Sequence, residues 1–452
     1  MAGEAHGGLR REIGFWQATS LNVIDMVGIG PFVTLPLILH AMGGGQALWA
    51  WLLAALLAIS DGLVTAELSA QLPKAGGSYA FLREAFGPAT WGKLISFLFL
   101  FQVVFSAPLS IASGAIGFSK YLRFIVPDVP VGWEPFIASA LCLLMTALLF
   151  RRIGSIGKFS IVLWAGVLLA LGLVIGFGLP HLKPESFAFW RTELNPMAGA
   201  ADTGLRVALL LAVYDYLGYY NVCYLAEEIK EPTKTIPRVI VVSILLVAVL
   251  YILMNVCVLA VLPASEAMTS SSTVSLYMER VAGRPLALFV TVLILWTAFA
   301  SIFSLTLGYS RILWAAGRDG NFFSAFARLH PRDGYPYVAL AALGLLASVF
   351  AFLDLKTVVR AIISIRAIIP FMAQIIAAFV LRTTRPDLER PFRMWLYPLP
   401  AVIALSLWGF VLFSPEKGFK MTGLVVVGAG LLVYLLRARS AAEWPFTPRA
   451  SA

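Results

Sequence analysis

Twelve apolar stretches of at least about 17 residues recur along this chain, each long enough to cross roughly 30 Å of hydrocarbon. They centre near Gly30, Leu56, Val104, Leu143, Leu169, Tyr216, Leu250, Ile302, Leu345, Ala373, Leu405 and Val427. Lipid offers no water to satisfy backbone N–H and C=O groups, so such a chain must fold as helices or a closed barrel. Runs of this length favour helices. Of the 452 residues 60% are hydrophobic and 13% charged, with a mean hydropathy of +0.86. A soluble domain does not read this way. The expectation is an all-α integral membrane protein with one domain over residues 18–436, between polar tails at 1–17 and 437–452. The first fifteen or so residues hold Arg10 and Arg11 and lack an apolar core, so no removable signal peptide is expected.

Two of the spans carry a helix-breaking interruption, and each falls early in one half of the chain. The first is Gly28-Ile29-Gly30-Pro31, inside residues 18–41; the second is Tyr216-Leu217-Gly218-Tyr219-Tyr220-Asn221, inside residues 202–226. Two glycines and a proline would cost on the order of 5 kcal/mol in a regular helix. Irregular backbone at membrane depth is tolerated only around a protein-lined cavity. Interrupted spans at corresponding places in two halves point to the binding site of a secondary transporter. A glycine-rich segment also permits close helix packing, but two matched breaks favour the cavity.

The net charge of +10 reads as a topology signal. With the N-terminus inside, inner loops and tails hold about twice as many Lys and Arg as outer loops, which puts both termini in the cytoplasm. The basic residues are scattered through short loops, so nucleic-acid binding has little support. Cys142, Cys223 and Cys257 all fall in spans, against a disulfide framework. No histidine or cysteine spacing suggests a metal site. There is no Ser/His/Asp set, metal cluster or phosphate loop for an enzyme, no repeated selectivity filter for a channel, and no long soluble domain for a receptor.

Four further motifs stand in order along the chain: PKAGGSY at 73–79, preceded by Ala66-Glu67-Leu68; AEEIKEPTKTIPR at 226–238; Ser310-Arg311 with GRDG at 317–320; and RPDLERPFR at 385–393. Together they resemble the amino acid–polyamine–organocation (APC) superfamily, closest to its branch of L-type amino-acid transporters and polyamine uptake transporters. The resemblance covers nearly the whole chain. It implies a leucine-transporter-like fold with a 5+5 inverted repeat, over residues of about 18–180 and 202–381, broken helices 1 and 6, and peripheral helices 11 and 12 at about 396–436. It also implies a plasma-membrane amino-acid carrier, sodium-independent and either proton-coupled or an exchanger, with a polyamine carrier on the same fold as the rival reading. Heteromeric L-type carriers attach a glycoprotein through a cysteine between the third and fourth spans. This chain has none there, so no disulfide-linked partner is expected.

The candidate substrate-binding residues are Asp25, Gly28, Ile29, Gly30, Phe32, Tyr214, Asp215, Leu217 and Gly218. Pro31 suits the first position of a second half-helix. The N–H groups around Ile29, Gly30 and Phe32 would then meet a carboxylate at a positive helix end. At the second break, carbonyls near Tyr214, Asp215 and Leu217 are expected to be free for an ammonium. Opposed polarity across one cavity selects a zwitterion.

Gly30-Pro31-Phe32 departs from the amino-acid branch and resembles the Gly-Pro-aromatic form of the polyamine branch. Val33-Thr34-Leu35-Pro36 lacks the acidic residue that the polyamine branch carries there. Tyr214 aligns with the family's gating aromatic. Phe299, Ser301, Gln102 and Ser106 face the cavity if the family register holds.

An unpaired charge within a span costs about 2.5–3.5 kcal/mol or more, so Asp25, Asp61, Lys158, Asp215 and Arg366 should face a cavity or one another. Asp25 is read either as an amine or proton site or as the partner of Arg366; Asp215 either contacts substrate or caps backbone donors. Carboxylates from both breaks in the cavity would favour a cationic amino acid or polyamine. The resemblance makes Lys158 a cation-site surrogate, bonding carbonyls near the first break. Glu67, Glu227 and Glu228 are expected to pair with basic loop residues and form an inner gate. No metal, cofactor or catalytic residue is expected.

Overall fold

A computed structural model describes residues 9–44, 46–151, 153–186, 199–270, 272–413 and 417–446. Of the expected tails, residues 1–8 and 447–452 lie outside the described residues, as does Arg152. Among the described residues the chain is helical, without strands. Among the described residues nine helices are long and apolar enough to cross a membrane, and two shorter apolar ones lie at Tyr337–Phe350 and Leu399–Leu412.

The first expected span is two helices, α1 (Phe15–Met26) and α2 (Gly30–Met42), with Pro31 in the first turn of α2. Proline suits that position because its missing N–H has no helical acceptor. Next come α3 (Ala47–Gln71), a short α4 (Ser78–Ala85) and the 35-residue α5 (Trp91–Ile125). Then follow α6 (Glu134–Leu148) and α7 (Ile153–Gly178).

The second half repeats this order. The sixth expected span is again split, into α8 (Gly199–Tyr216) and the single turn α9 (Asn221–Tyr224). The long α10 (Pro232–Val261) corresponds to α3, and two short helices, α11 (Ala264–Thr269) and α12 (Thr273–Ala282), occupy the place of α4. Another 35-residue helix, α13 (Arg284–Arg318), matches α5. After α14 (Tyr337–Phe350), α15 (Leu355–Arg366) runs through a π-helical stretch, Ala367–Ala373, into α16 (Gln374–Thr384). The chain closes with α17 (Leu399–Leu412) and α18 (Lys417–Ser440).

The two broken segments run antiparallel, as three contacts along their length show. At one end Ile13 N–H bonds Glu228 O at 3.0 Å, and Lys230 N–H returns to Ile13 O at 2.9 Å. Midway, Gly30 lies against the Asp215 carboxylate; at the far end Gly204 lies against the Ala41 carbonyl. Equivalent helices pack on each other, α3 on α10 and α5 on α13.

The four sequence motifs converge at the Ile13 end. Gly76 N–H bonds Tyr224 O at 3.3 Å, and Gly77, at φ 46°, passes so close to α9 that an added Cβ would stand 2.8 Å from Cys223 Cβ. Arg318 grips Glu227 at 2.7 and 3.1 Å, and Arg83 reaches Asp319 at 2.6 Å. Arg382 forks onto Glu67 at 2.7 and 2.6 Å, and Met394 N–H joins that carboxylate at 2.6 Å. Deepest is Arg311 with Glu228, a bidentate pair at 3.0 and 2.9 Å whose side chains are each 1% exposed. A pair so buried holds only when geometry is good and its lone pairs are satisfied. Arg437 on α18 bonds Asn321 O at 2.6 Å and Lys93 pairs with Glu443 at 2.7 Å, so both ends of the described chain lie here.

Candidate functional site

Each break is pinned from neighbouring helices. The α1 helix ends as Val27 N–H bonds Val23 O at 2.7 Å, and Gly28 N–H turns back to Met26 O at 3.1 Å. The α8 helix ends with Leu217 N–H on Tyr214 O at 3.2 Å, and Gly218, at φ 115°, turns the chain into α9. That φ is one glycine adopts freely and L side chains resist. The Tyr251 hydroxyl on α10 donates toward carbonyls from both breaks, Met26 O at 2.8 Å and Asp215 O at 3.4 Å. Its ring packs edge-on to Trp51 and Tyr216, fixing the hydroxyl between the two turns. On the other flank, Ser304 of α13 donates to Leu21 O at 2.7 Å and receives Asn221 Nδ2 at 3.0 Å.

The breaks meet reciprocally. A Cβ on Gly30 would collide with Asp215 Oδ1, and one on Gly218 would stand 2.9 Å from Asp25 Oδ2. Asp-Met-Val-Gly at 25–28 and Asp-Tyr-Leu-Gly at 215–218 share one spacing, so each turn presents a carboxylate to the other's backbone. Thr34 Oγ1 donates to Asp215 Oδ2 at 2.5 Å, while Asp215 Oδ1 and Asp25 Oδ1 are buried with no hydrogen-bond partner. A buried polar atom without a partner costs roughly 1–3 kcal/mol, more when charged.

Between the breaks lies a small polar cavity of about 50 Å³. Asp25, Gly28, Ile29, Gly30, Tyr214, Asp215, Leu217 and Gly218 line it, together with Ser110, Ser113, Ser301, Tyr309, Tyr220 and Arg366. Tyr214 lies across the cavity, its hydroxyl 2.9 Å from Ser113 Oγ on α5. Arg366 is 5% exposed and bonds Tyr220 Oη at 3.1 Å, Ser106 O at 3.1 Å and Ser110 Oγ at 2.9 Å, with the Tyr309 ring 5.2 Å away. These contacts take the guanidinium without a direct bond to Asp25, so the alternative of a closed Asp25–Arg366 ion pair is not what the geometry contains.

Several sequence expectations land elsewhere. Phe32 does not line the cavity: its N–H is used by Ile29 O at 3.1 Å and its carbonyl by the Tyr121 hydroxyl at 2.7 Å. A helix's first turn tightens this way when it lacks an outside partner. Tyr214 O and Asp215 O, expected to be free, each already accept one bond, although a carbonyl has a second lone pair. Lys158 is a correction. It is exposed near the start of α7, lining a separate polar pocket with Arg11, Glu12, Gln17 and Lys230, and makes no bond to the first break. That register puts Ser160, not Lys158, against α1, with its hydroxyl 2.7 Å from Ser20 Oγ. Ser301 reaches the cavity, whereas Phe299, Gln102 and Ser106 are not among its lining residues.

Ser110, Ser113 and Tyr309 were not foreseen. The signal for the serines is their spacing of three on one helix, which sets both hydroxyls on one face. Among the described residues no cluster of His, Cys, Asp or Glu is disposed to hold a metal, and Cys142, Cys223 and Cys257 are buried free thiols.

A split-helix pair around a polar cavity is the architecture of a solute carrier. The amino acid permease family matches residues 13–435, and the chain belongs to it. Similar proteins include Asc-type amino acid transporter 1 of Mus musculus, 28% identical over 446 residues, covering 95% of this chain and 81% of that one. Large neutral amino acids transporter small subunit 2 of Homo sapiens is 28% identical over 457 residues, covering 96% and 82%. Serine/threonine exchanger SteT of Bacillus subtilis (strain 168) is 27% identical over 444 residues, covering 94% and 97%. The protein is a multi-pass membrane transporter and not an enzyme.

Proposed function

We propose that this permease carries amino acids across the plasma membrane by alternating access, without sodium, driven by protons or by exchange. The observation that carries the reading is the pair of facing helix breaks around one polar cavity. A free carboxylate of the solute would meet the amides of Ile29 and Gly30 at the start of α2, and its ammonium the carboxylate and carbonyl groups of the second break. Tyr214 would cover the bound solute. The repeated order of split helix, long helix, short helix and 35-residue helix supports two inverted repeats of five spans. With α14 and α17 counted as short spans and α8–α9 as a split one, the total is twelve.

The Ile13 end would be cytoplasmic, as the excess of basic residues in the tails and in the loops at that end favours. The ion pairs there would make an inner gate, closed in this conformation. The buried thiols favour a carrier that works without a disulfide-linked partner.

Uptake of labelled amino acids into proteoliposomes tests this. Uptake in sodium-free medium, accelerated by an inward proton gradient or by amino acid inside the vesicles, is expected. Uptake that requires sodium and ignores both would overturn it.

A further inference from the structure

Asp25, Asp215 and Arg366 are the charged side chains lining the cavity. Their formal charges sum to minus one, so a zwitterionic solute with a neutral side chain would leave the site negative. Arg366 makes no hydrogen bond to either carboxylate, its nitrogens being held by Tyr220, Ser106 and Ser110, although its charge acts on Asp25. The carboxylates are 5% and 2% exposed, and each has one oxygen without a partner. Asp215 lies against Gly30 and Asp25 against Gly218, so each break holds one carboxylate beside the other's backbone.

We infer that the preferred substrate is a dibasic amino acid, with one ammonium at each carboxylate. The inference rests on the proposed carriage of amino acids and narrows it. The α-carboxylate lies at the amides of Ile29 and Gly30, which puts the α-ammonium beside Asp215. The side-chain ammonium then spans to Asp25, past the hydroxyls of Ser113 and Ser301. Such a solute carries plus one and brings the filled cavity to zero charge. Both ammonium groups supply N–H donors to oxygens that otherwise have none, which is worth most in a site shielded from water.

The test is competition for uptake into proteoliposomes, with a thermal-shift titration of the purified protein, using lysine, ornithine, leucine, serine and putrescine. Lysine and ornithine should act at concentrations at least tenfold below leucine and serine. Asp25→Asn and Asp215→Asn should each erase that preference. Should either variant fail to fold, the wild-type ranking still decides. Leucine or serine acting as well as lysine would overturn the inference and leave the amino-acid reading standing; this is the result expected if the carboxylates hold their own protons. Putrescine acting as well as lysine would overturn the amino-acid reading instead, as would no response to any amino acid.

Discussion

At Gly218 an added methyl would stand 2.9–3.0 Å from Asp25 Oδ2, Asp25 C and Met26 N, two of them backbone atoms that cannot swing away. Its φ of 115° adds strain for any L side chain. Such a conformation costs of order 1–3 kcal/mol, and the collision pushes the two breaks apart. Gly218→Ala is therefore expected to lower the thermal unfolding temperature and to reduce amino-acid uptake at least tenfold; unchanged uptake would show that the close approach of the breaks is dispensable.

The glycines themselves were legible in the sequence, because two glycines and a proline are too costly to hide in a regular span. The Asp-x-x-Gly spacing common to both breaks was equally visible there, and it marks the two carboxylates, each of which lies against the other break. Lys158 was not legible. Whether it meets the first break depends on the rotation and register of α7 against α1, and the Ser20–Ser160 contact sets both. The Phe32 amide was misread for a local reason, since a tight first turn supplied its own acceptor.

Elements bring separated motifs together in ways that only the folded chain reveals. PKAGGSY, AEEIKEP and GRDG are far apart in sequence, yet they share one hydrogen-bonded layer around α9, and Glu67 ties the fourth motif to it through Arg382. Acidic and basic partners near helix ends were expected to pair; which carboxylate took which guanidinium followed from packing.

The Glu228–Arg311 pair is the layer's buried centre. Glu228→Gln leaves the guanidinium without its counter-charge, a change that typically costs about 3–5 kcal/mol in a buried pair. Cys223 lies in α9, beneath this layer, and is buried. In a background with Cys142→Ser and Cys257→Ser, Glu228→Gln should speed maleimide labelling of Cys223 severalfold. Equal labelling rates would mean the pair does not hold this face shut. The π-helical stretch beside Arg366 was invisible in the sequence pattern, where the run centred near Ala373 reads as one apolar span.

Across the whole molecule, the all-helical membrane class followed from apolar run length alone, since lipid leaves so few backbone solutions. The helices α14 and α17 are shorter than the apolar stretches centred near Leu345 and Leu405 that the sequence shows. The proposed repeat was harder to see, because inverted copies would share an order of elements and a pair of break sites without an obvious shared sequence. Contacts at three heights along the split helices reveal the antiparallel relation that composition and periodicity left open.

The most direct measurement is an experimental structure of the protein with an amino acid bound. Density for the solute should lie between residues 26–30 and 214–218, with its carboxylate toward the amides of Ile29 and Gly30 and Tyr214 above it. Density in the polar pocket beside Lys158 with the central cavity empty, or helices running unbroken through both segments, would contradict a carrier built around two facing breaks.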